Sequence, residues 1–348
     1  MSVPRVLVAM SGGVDSSVAA ALLLERGYDV TGVTLKLWGG ESDSGCCSVA
    51  DVEDARRVAA QLDIPHYVFN FTEEFDAAVV APYVAAYAGG TTPNPCVECN
   101  RAIKFGRLLD RADALGFDAV ATGHHARVET ADDGTRRLRR GADPAKDQSY
   151  VLYMLGPREL ARTVLPVGTL TKVEVREHAA RLGLRTATKP ESMDVCFITR
   201  GGREQFLETR LGAQPGVVVD TGGAVVGRHR GVAAFTVGQR RGVGVAAGER
   251  RYVVNVDAAA ATVTIGTRGE LERDRVRVRD VTFVDRVSAP DDHEPMHIQV
   301  QMRAHGEPIV AVFDGDVVQL ASPQARVAPG QVVAFYDGEY CLGGGLAR

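Results

Sequence analysis

The sequence predicts an α/β fold with a doubly wound parallel sheet, followed by two small, mostly-β modules. Two observations predict it. Before Gly202, short apolar runs alternate with helical patterns, and a glycine-rich turn stands at the first strand–helix junction. After Gly202, helical periodicity gives way to short β-branched runs divided by Gly and Asp. Strands that alternate with helices of this length indicate a parallel sheet, whose ligands bind at the carboxyl ends of the strands.

The elements of the first region follow from apolar periodicity and from the glycine at which the first helix stops, Gly27. In chain order we predict strand Val6–Met10, helix Ser16–Glu25, strand Val30–Leu35, helix Val49–Leu62, strand His66–Phe71, helices Glu73–Tyr87 and Ile103–Leu115, and strand Ala119–Thr122.

Evenly spaced short strands in the second region indicate small β modules or barrels. They are Val217–Val219, Ala224–Val226, Tyr252–Asp257, Val263–Ile265, Val276–Val278, Ile298–Met302, Ile309–Phe313, Val317–Leu320 and Val332–Tyr336. The stretch Ala289–Pro295 is expected to be a loop inside the last module, so the boundary between the modules is placed near Leu271. The domains are therefore predicted at residues 1–202, 203–271 and 272–348.

Composition limits the class of protein. A chain of 348 residues is too long for one ordinary core. Met1–Val8 lacks the features of a signal peptide and no apolar run is long enough to cross a bilayer, so a cytoplasmic protein without membrane contact is expected.

The net charge of −4 excludes a bulk polyanion binder, so any RNA must be held by local basic patches. Each of these patches can equally be a solvated surface. They comprise Arg136, Arg137, Arg139 and Arg140; Arg228, His229 and Arg230; and Arg240 and Arg241.

The strongest motif is Ser11-Gly12-Gly13-Val14-Asp15-Ser16-Ser17, between the first strand and its helix. Small residues let backbone N–H groups close on a phosphate, the helix adds its positive end, and Asp15 can hold Mg²⁺. The motif is neither a Walker loop nor a dinucleotide fingerprint. It resembles the PP-loop of ATP pyrophosphatases, which release pyrophosphate after attaching AMP to an oxygen. The alternative is an ordinary glycine-rich turn with Ser16 and Ser17 as helix caps.

The second motif is Asn94-Pro95-Cys96-Val97-Glu98-Cys99-Asn100, expected before a helix that opens near Arg101. A cysteine at a helix N-terminus beside Arg101 and Lys104 should hold more of the reactive thiolate form. A C-x-x-C pair also suits zinc, an iron–sulfur cluster or a redox disulfide.

A third cysteine, Cys196, follows at the end of the α/β region in Glu191–Ile198. A chain end there can return over the active face. The alternative is a buried apolar thiol beside Phe197 and Ile198.

These motifs together resemble the tRNA-specific 2-thiouridylase family, and the resemblance covers nearly the whole chain. Further segments that carry it are Gly123-His124-His125-Ala126, Lys146-Asp147-Gln148-Ser149-Tyr150, Phe235–Gly242, Pro329-Gly330-Gln331 and Cys341–Gly345. The resemblance implies a PP-loop enzyme of the adenine nucleotide α-hydrolase type. Its implied reaction is ATP-dependent adenylation of the 2-oxygen of the wobble uridine in tRNA, followed by sulfur transfer to give 2-thiouridine, AMP and pyrophosphate.

The resemblance also implies the site residues. ATP would be held, with Mg²⁺, by Ala9, Met10, Ser11, Gly12, Gly13, Val14, Asp15 and Ser16, with Leu35 and Gly123. Asn94, Pro95 and Cys96 would surround the target base, and His124, Lys146, Asp147, Gln148, Arg303, Ala304 and Gln331 would contact the tRNA anticodon region. The catalytic set would be Cys99, Cys196 and Asp15.

Sulfur chemistry is divided between two thiols in this resemblance. Cys196 would carry a persulfide from a donor protein such as a cysteine desulfurase. Cys99 would attack it, freeing sulfide and leaving a Cys99–Cys196 disulfide for reduction. The protein is expected to act as a monomer.

Two departures from the family pattern and two other functions complete the hypotheses. Some relatives have a larger aromatic residue at Ala304, which weakens that contact. Some have aspartate at Cys96, so that Cys96, Cys99 and Cys196 can alternatively bind a [4Fe–4S] cluster, or less readily zinc. The competing functions are a PP-loop ligase acting on a small non-RNA substrate, and an RNA-binding or redox-sensing protein without catalysis. Cys46 and Cys47 suggest no role.

Overall fold

A computed structural model describes residues 3–38, 48–190, 195–198, 202–245, 249–284 and 294–348. The strands before residue 200 are β1 (Arg5–Ala9), β2 (Asp29–Lys36), β3 (His66–Asn70), β4 (Ala119–Ala121), β5 (Ala126–Thr130), β6 (Arg136–Arg140) and β7 (Thr163–Val164). Five of them form one sheet in the order β3-β2-β1-β4-β7, and every neighbouring pair in it is parallel. The predicted parallel sheet is confirmed.

Helices connect successive strands of the parallel sheet. The helices in the described ranges are α1 (Val14–Glu25), α2 (Val49–Gln61), α3 (Thr72–Phe75), α4 (Ala81–Ala88), α5 (Pro95–Glu98), α6 (Leu108–Ala114), α7 (Pro157–Ala161), α8 (Lys172–Arg181), α9 (Gly202–Leu211) and α10 (Arg268–Leu271). Two π-helical segments, Asp76–Val80 and Cys99–Arg107, make Thr72–Ala88 and Pro95–Ala114 continuous helical runs. Short 3₁₀ turns occupy Ser149–Leu152, Arg185–Thr188 and Val232–Ala234.

Strand β1 explains why the sheet is covered on both faces. Successive side chains of a strand point to opposite faces. Leu7 therefore packs into one apolar cluster, with Phe75 and Ile103, whereas Val6 and Val8 pack into the cluster on the other side. An apolar strand buried on both faces is the pattern expected of a doubly wound sheet, and the fold class is confirmed.

The middle of the chain forms a small four-stranded sheet. Its strands are β8 (Gly216–Asp220), β9 (Val225–His229), β10 (Tyr252–Asp257) and β11 (Thr262–Gly266), in the order β10-β11-β8-β9. Val218, Phe235 and Val253 belong to its core.

The last region forms a barrel. Its strands are β12 (Glu272–Phe283), β13 (Met296–Gln301), β14 (Ile309–Asp314), β15 (Val317–Ala325), β16 (Val332–Asp337) and β17 (Tyr340–Ala347). They pair antiparallel in the order β12-β15-β14-β13-β16-β17, and β12 also pairs with β17, which closes the barrel. Phe313 and Phe335, with ring centroids 4.9 Å apart, lie in its core.

The hairpin β5–β6 joins this barrel although it belongs to the first region of the chain. Strand β6 pairs with β17, with Arg139 opposite Tyr340 and Leu138 opposite Cys341. Leu138 and Cys341 are buried in one cluster with Tyr336, and burial raises the pKa of the Cys341 thiol to about 12. This thiol is therefore a packing group. The barrel and the parallel sheet are connected through a shared seam.

Several predicted elements need correction. The helix carrying the C-x-x-C motif begins at Pro95, not near Arg101, because Asn94 caps it one residue earlier. Strand β17 and the hairpin β5–β6 were not predicted. The expected loop Ala289–Pro295 lies outside the described residues apart from its last two positions, Glu294 and Pro295. No helix in the described ranges is long and apolar enough to cross a membrane.

Candidate active site

The glycine-rich loop connects β1 to α1 at the carboxyl edge of the sheet. Gly12 has φ +72°, and a Cβ there would lie 2.2 Å from the backbone oxygen of Asp51. The Ser11 N–H donates to Ser16 Oγ at 3.1 Å, while the hydroxyls of Ser16 and Ser17 donate to the Gly13 carbonyl. Gly13 is the N-cap of α1 without a side-chain cap bond. Because the first N–H groups of a helix lack intrahelical partners, this end suits a phosphate.

Gly123 follows β4 and lies against the start of α1. A Cβ on Gly123 would be 2.6 Å from the Ser16 nitrogen and 2.7 Å from the Asp15 carbonyl carbon. The contact arises because β4 and β1 are parallel neighbours, with Val8 opposite Ala121, so that their carboxyl ends emerge side by side. The structure therefore brings the predicted nucleotide residue Gly123 to the loop.

The remaining predicted nucleotide residues lie at the ends of strands β1 and β2 and at the start of α1. Ala9 is half-buried at the end of β1, Met10 and Val14 are buried, and Leu35 is buried in β2 opposite Phe69. The Met10 N–H donates to the Val33 carbonyl at 2.8 Å. These positions surround one edge of the sheet.

Asp15 is held by two groups that the sequence did not single out as site residues. Lys172 Nζ lies 2.8 and 2.7 Å from its two carboxylate oxygens, and His125 Nε2 lies 3.0 Å from Oδ1. Burial alone would raise the pKa of Asp15, but the hydrogen bonds from His125 and Lys172 and the Lys172 charge lower it below 3.8. The Asp15 carboxylate is thus anionic at neutral pH.

The C-x-x-C motif lies on a helix. Asn94 accepts a hydrogen bond from the Cys96 N–H at 3.1 Å, and Pro95 occupies the first turn, where it needs no N–H partner. Cys96 and Cys99 are three residues apart in a continuous helical run, and residues at this spacing share a helix face. Cys96 is half-buried and Cys99 is buried.

Cys196 approaches the same cluster from the end of the α/β region. Val195 and Cys196 pack against the apolar cluster that contains Cys99 and Phe197. Trp38 packs there too, with its ring centroid 6.1 Å from that of Phe197. Cys99 and Cys196 therefore border one apolar cluster, and Leu35 and Ala9 belong to the same cluster.

His124 lies beside the loop but is buried. Its Nδ1 is 2.7 Å from the Thr122 hydroxyl, and its ring centroid is 6.0 Å from that of Phe105. Burial, with the positive charge of Lys104, lowers the pKa of His124 well below 6.5. The imidazole is neutral at neutral pH.

The segment Lys146–Gln148 follows the β5–β6 hairpin. Asp147 is buried and both its oxygens are used inside the protein, by the Gly141 and Ser149 N–H groups, the Ser149 hydroxyl and Arg140 Nη1. Gln148 is exposed and its Oε1 accepts from the His125 N–H at 2.9 Å. The Asp147 side chain shapes this segment, and Lys146 and Gln148 face outward more than it does.

Arg140 connects that segment to the barrel. Its Nη1 donates to Asp147 Oδ2 at 2.9 Å and to Gln301 Oε1 at 2.7 Å, and its guanidinium lies 3.7 Å from the Tyr336 ring centroid. Gln301 Nε2 in turn donates to the carbonyls of Arg303 and Ala304, both at 3.0 Å. The two predicted tRNA-contacting segments are therefore joined by a hydrogen-bond chain.

Gln331 meets the segment before the C-x-x-C helix. Its Nε2 donates to the Thr92 carbonyl at 2.9 Å, and the Thr92 N–H donates to the Pro329 carbonyl at 2.7 Å. The barrel turn Pro329–Gln331 is therefore bound to Thr92, two residues before Asn94.

The basic patches of the sequence differ in their surroundings. Arg139 pairs with Glu129 and Glu339, Arg140 with Asp147, and Arg137 with Asp133. In the second patch His229 is buried. Arg240 and Arg241 are exposed, and Arg240 lines a surface groove with Arg250 and Arg251.

Comparison with known proteins identifies the family. Models described as a tRNA methyl transferase HUP domain, a tRNA methyl transferase PRC-barrel domain and an aminomethyltransferase beta-barrel domain match residues 4–200, 204–267 and 273–347. The tRNA-specific 2-thiouridylase MnmA of Chloroflexus aggregans is 51% identical over 99% of this chain and 98% of its own. Those of Roseiflexus sp. and Thermobifida fusca are 48% and 49% identical, over 99% and 97% of this chain and 99% and 94% of their own.

The chain belongs to the tRNA-specific 2-thiouridylase family. Among solved structures, a 4-thiouridine synthetase–RNA complex with bound ATP aligns at 19% identity and a TM-score of 0.37, over 56% of this chain and 44% of that one.

The donor groups of this 2-thiouridylase family member limit which metal ions it can hold. In the described parts of the chain, no group of three or more His, Cys, Asp or Glu side chains is arranged to hold a metal ion. Cys96, Cys99 and Cys196 therefore do not form such a group. Asp15 offers hard carboxylate oxygens of the kind Mg²⁺ prefers. Cys46 and Cys47 lie outside the described residues.

Two residues of this 2-thiouridylase escaped sequence reasoning. His125 lies in the motif Gly123-His124-His125-Ala126, in which the sequence predicts His124 as the site residue. Lys172 belongs to none, and the only sequence signal is its place just after the capping residue Thr171, at a helix start that follows the parallel sheet.

Proposed function

We propose that this protein is an ATP-dependent tRNA-uridine 2-sulfurtransferase that adenylates the 2-oxygen of the wobble uridine and replaces it with sulfur. The observation that carries the proposal is the apolar cluster on one face of the parallel sheet, which both halves of the chemistry share. Ala9 and Leu35 on the nucleotide side, and Cys99 and Cys196 on the sulfur side, border the same apolar cluster. The uridine must be adenylated and then receive sulfur without leaving the enzyme. Nucleotide and thiol residues that border one cluster support such a sequence of reactions.

Adenylation would be performed at the glycine-rich loop. Ala9–Ser16 would hold ATP, with the N–H groups at the start of α1 directed at phosphate and with Gly123 allowing the close approach. Leu35 would contact the adenine. Mg²⁺ bound at Asp15 would neutralise charge on the pyrophosphate.

Sulfur transfer would use the two thiols in sequence. A donor protein, such as a cysteine desulfurase, loads Cys196 with a persulfide. The Cys99 thiolate attacks Cys196 Sγ, the S–S bond of the persulfide breaks, and hydrosulfide leaves with the electron pair. Hydrosulfide adds to C2 of the adenylated uridine and AMP departs. The Cys99–Cys196 disulfide that remains is reduced by an external dithiol.

The tRNA would lie across both the first domain and the barrel. Asn94, Pro95 and Cys96 would surround the base, which can leave a single-stranded loop without breaking a duplex. Lys146, Gln148, Arg303, Ala304 and Gln331, with the shaping residues His124 and Asp147, would contact the anticodon region. The hydrogen-bond chain through Arg140 and Gln301 supports their assignment to one surface.

The chain would act as a monomer of three domains, at residues 1–202, 203–271 and 272–348. Three separate sheets support the division, although the β5–β6 hairpin crosses it. A second copy is not needed, because one chain supplies Asp15, Cys99 and Cys196.

The decisive variant is Cys196→Ser. It is expected to abolish thiolation of an unmodified tRNA, because no persulfide can form, while ATP–pyrophosphate exchange on tRNA remains measurable. Single-turnover 2-thiouridine formation and exchange are measured side by side. Cys341→Ala, which removes a thiol buried in the seam, is the matched control and should retain both activities. Loss of both activities in Cys196→Ser contradicts the role proposed for Cys196.

The sulfur route is tested by anaerobic purification with iron and sulfide analysis. Iron-free protein that thiolates tRNA with a persulfide donor supports the two-thiol relay. Thiolation that requires a bound cluster contradicts it and assigns Cys96, Cys99 and Cys196 as ligands.

A further inference from the structure

We propose that Lys172 is a further binding residue of the nucleotide site, whose ammonium group contacts the pyrophosphate part of ATP and stabilises it as the leaving group. The inference rests on the proposed function, since it concerns the adenylation half of that reaction. It assigns to the site a residue that lies outside the glycine-rich motif.

The main chain of Lys172 is fixed independently of its side chain. Thr171 caps α8 by accepting from the Glu174 N–H, and Glu174 returns a carboxylate to the Thr171 N–H at 2.7 Å. The Lys172 N–H donates to Asp143 Oδ2 at 3.0 Å. The capping box and the bond to Asp143 fix the backbone of Lys172. Only its four-carbon side chain can therefore move, and Nζ reaches the glycine-rich loop from a fixed Cα position.

The side chain reaches a location where an isolated lysine is costly. Its exposed fraction is 12%, and that of the Asp15 side chain is 30%. Burying an ammonium group and ordering a long side chain both oppose folding. The pair with Asp15 offsets part of this cost and holds the ammonium group beside the start of α1, where a phosphate would be bound.

The charges at the loop explain how Lys172 can pair with Asp15 and also contact the pyrophosphate part of ATP. Lys172 contacts both oxygens of Asp15, and a Mg²⁺ ion bound at Asp15 would compete for the same oxygens. Repulsion by the ion would turn the ammonium toward the nearest remaining anion, the β- and γ-phosphates. His125 Nε2, 3.0 Å from Asp15 Oδ1, would continue to orient the carboxylate. A flexible point charge suits this movement better than a planar guanidinium.

Lys172 would assist the attack of the uridine O2 on the α-phosphorus of ATP. The uridine O2 forms a bond to the α-phosphorus while the bond from that phosphorus to the bridging oxygen breaks. The electron pair stays on pyrophosphate, and the N3 proton of the base passes to water. Negative charge grows on the leaving group, where a nearby cation lowers the barrier.

Equilibrium binding of two product fragments tests the proposal on the full chain. Magnesium pyrophosphate and AMP are titrated separately into the wild type, Lys172→Met and Lys172→Arg. Lys172→Met is expected to raise the Kd for pyrophosphate at least about tenfold, which is about 1.4 kcal/mol, and to leave the Kd for AMP within about twofold. Lys172→Arg, which keeps the charge but not the flexible ammonium, should recover only part of the pyrophosphate affinity. Arg181→Met, an exposed cation on the same helix, is the control and should bind both fragments like the wild type.

Several outcomes overturn the proposal. One is unchanged pyrophosphate affinity in a Lys172→Met protein that melts like the wild type. Another is an equal loss for AMP and pyrophosphate, which indicates a purely structural role. The double variant Asp15→Asn/Lys172→Met decides between the roles if Lys172→Met is unstable. A residue that only neutralises Asp15 adds nothing to Asp15→Asn, whereas a phosphate ligand weakens pyrophosphate binding further. Wild-type protein that binds pyrophosphate but never thiolates tRNA contradicts the proposed function. In that case the pyrophosphate and AMP titrations still decide whether Lys172 binds pyrophosphate.

Discussion

His124 illustrates how one buried side chain connects stability to pH. The imidazole packs against Phe105 and bonds to the Thr122 hydroxyl through Nδ1. Burial holds its pKa well below 6.5 in the folded state, whereas the unfolded chain restores the ordinary value. The unfolded state therefore binds more protons as the pH falls below 6.5. The contribution of His124 to stability is complete above this pH and is lost as the pH falls toward the folded-state pKa.

The first prediction is a pH-dependent loss of stability that His124→Gln diminishes. Between pH 7.5 and 5.5 the unfolded chain takes up a proton at His124 and the folded chain does not. The unfolding free energy of the wild type should therefore fall by about 1.4 kcal/mol from this group. Glutamine does not titrate, so the variant should lose about that much less over this range. Urea unfolding at the two pH values measures it.

If His124→Gln and the wild type lose the same unfolding free energy between the two pH values, the pKa of His124 does not differ between the folded and unfolded states.

At the scale of elements, the thiol helix depends on one cap. Asn94 accepts from the Cys96 N–H, and the same backbone stretch carries Cys96 and Cys99. If the cap is lost, the first turn frays and both thiols lose their fixed direction. A small change in stability should therefore produce a larger change in sulfur transfer.

We predict that Asn94→Ala lowers stability by about 1 kcal/mol and lowers the single-turnover thiolation rate by roughly tenfold or more. Pyrophosphate binding should stay unchanged, because the loop of α1 is separate from this cap. Thr267→Ala removes a comparable cap from α10 and should lower stability similarly without slowing thiolation. Equal slowing in both variants would indicate a general effect of destabilisation.

Comparison of the elements with the sequence shows which signals are local. Strands β1–β4 were predicted within a residue or two. In β1 and β2 the reason is that the interior of a doubly buried strand is largely apolar. The hairpin β5–β6 was not predicted, since in Arg136–Arg140 only Leu138 is buried and the pairing partner β17 lies 200 residues away. Strand β17 was obscured by its glycines. A Cβ at Gly343 would lie 2.1 Å from the Thr282 carbonyl oxygen, so close packing of strands required a residue with low strand propensity.

The candidate site divides in the same way. The loop, the C-x-x-C helix and Cys196 were recognisable because their spacing within the chain is itself informative. Lys172 was not, since it meets Asp15 only through tertiary packing across 157 positions. Single charged residues carry no such spacing signal.

At the scale of the whole molecule, the seam between the first domain and the barrel centres on Arg140. The guanidinium binds Asp147 and Gln301 and stacks on Tyr336. Its side chain is 18% exposed and that of Asp147 is 6% exposed. Removing one partner from such a pair leaves the other charge buried without compensation, which is far more costly than losing a surface ion pair.

Arg140→Met is predicted to lower stability by roughly 3 kcal/mol and to weaken tRNA binding at least about tenfold, because the segments 146–148 and 303–304 lose their common support. Affinity for AMP should remain within about twofold. Filter binding of unmodified tRNA and thermal unfolding measure the two effects. Arg137→Met, on the same strand in a longer contact with Asp133, should cost less than about 1 kcal/mol. Unchanged tRNA affinity in Arg140→Met would contradict the role of the seam.

The pairing of β17 with both β12 and β6 has a consequence for biosynthesis. A ribosome makes β17 after every other described strand, so the barrel cannot close, and the hairpin β5–β6 has no edge to join, until Tyr340–Ala347 has emerged. Once β7 has been made, the parallel sheet can be complete while the proposed tRNA-contacting surface is still unassembled. A nascent chain would thus be able to bind nucleotide before it can bind tRNA.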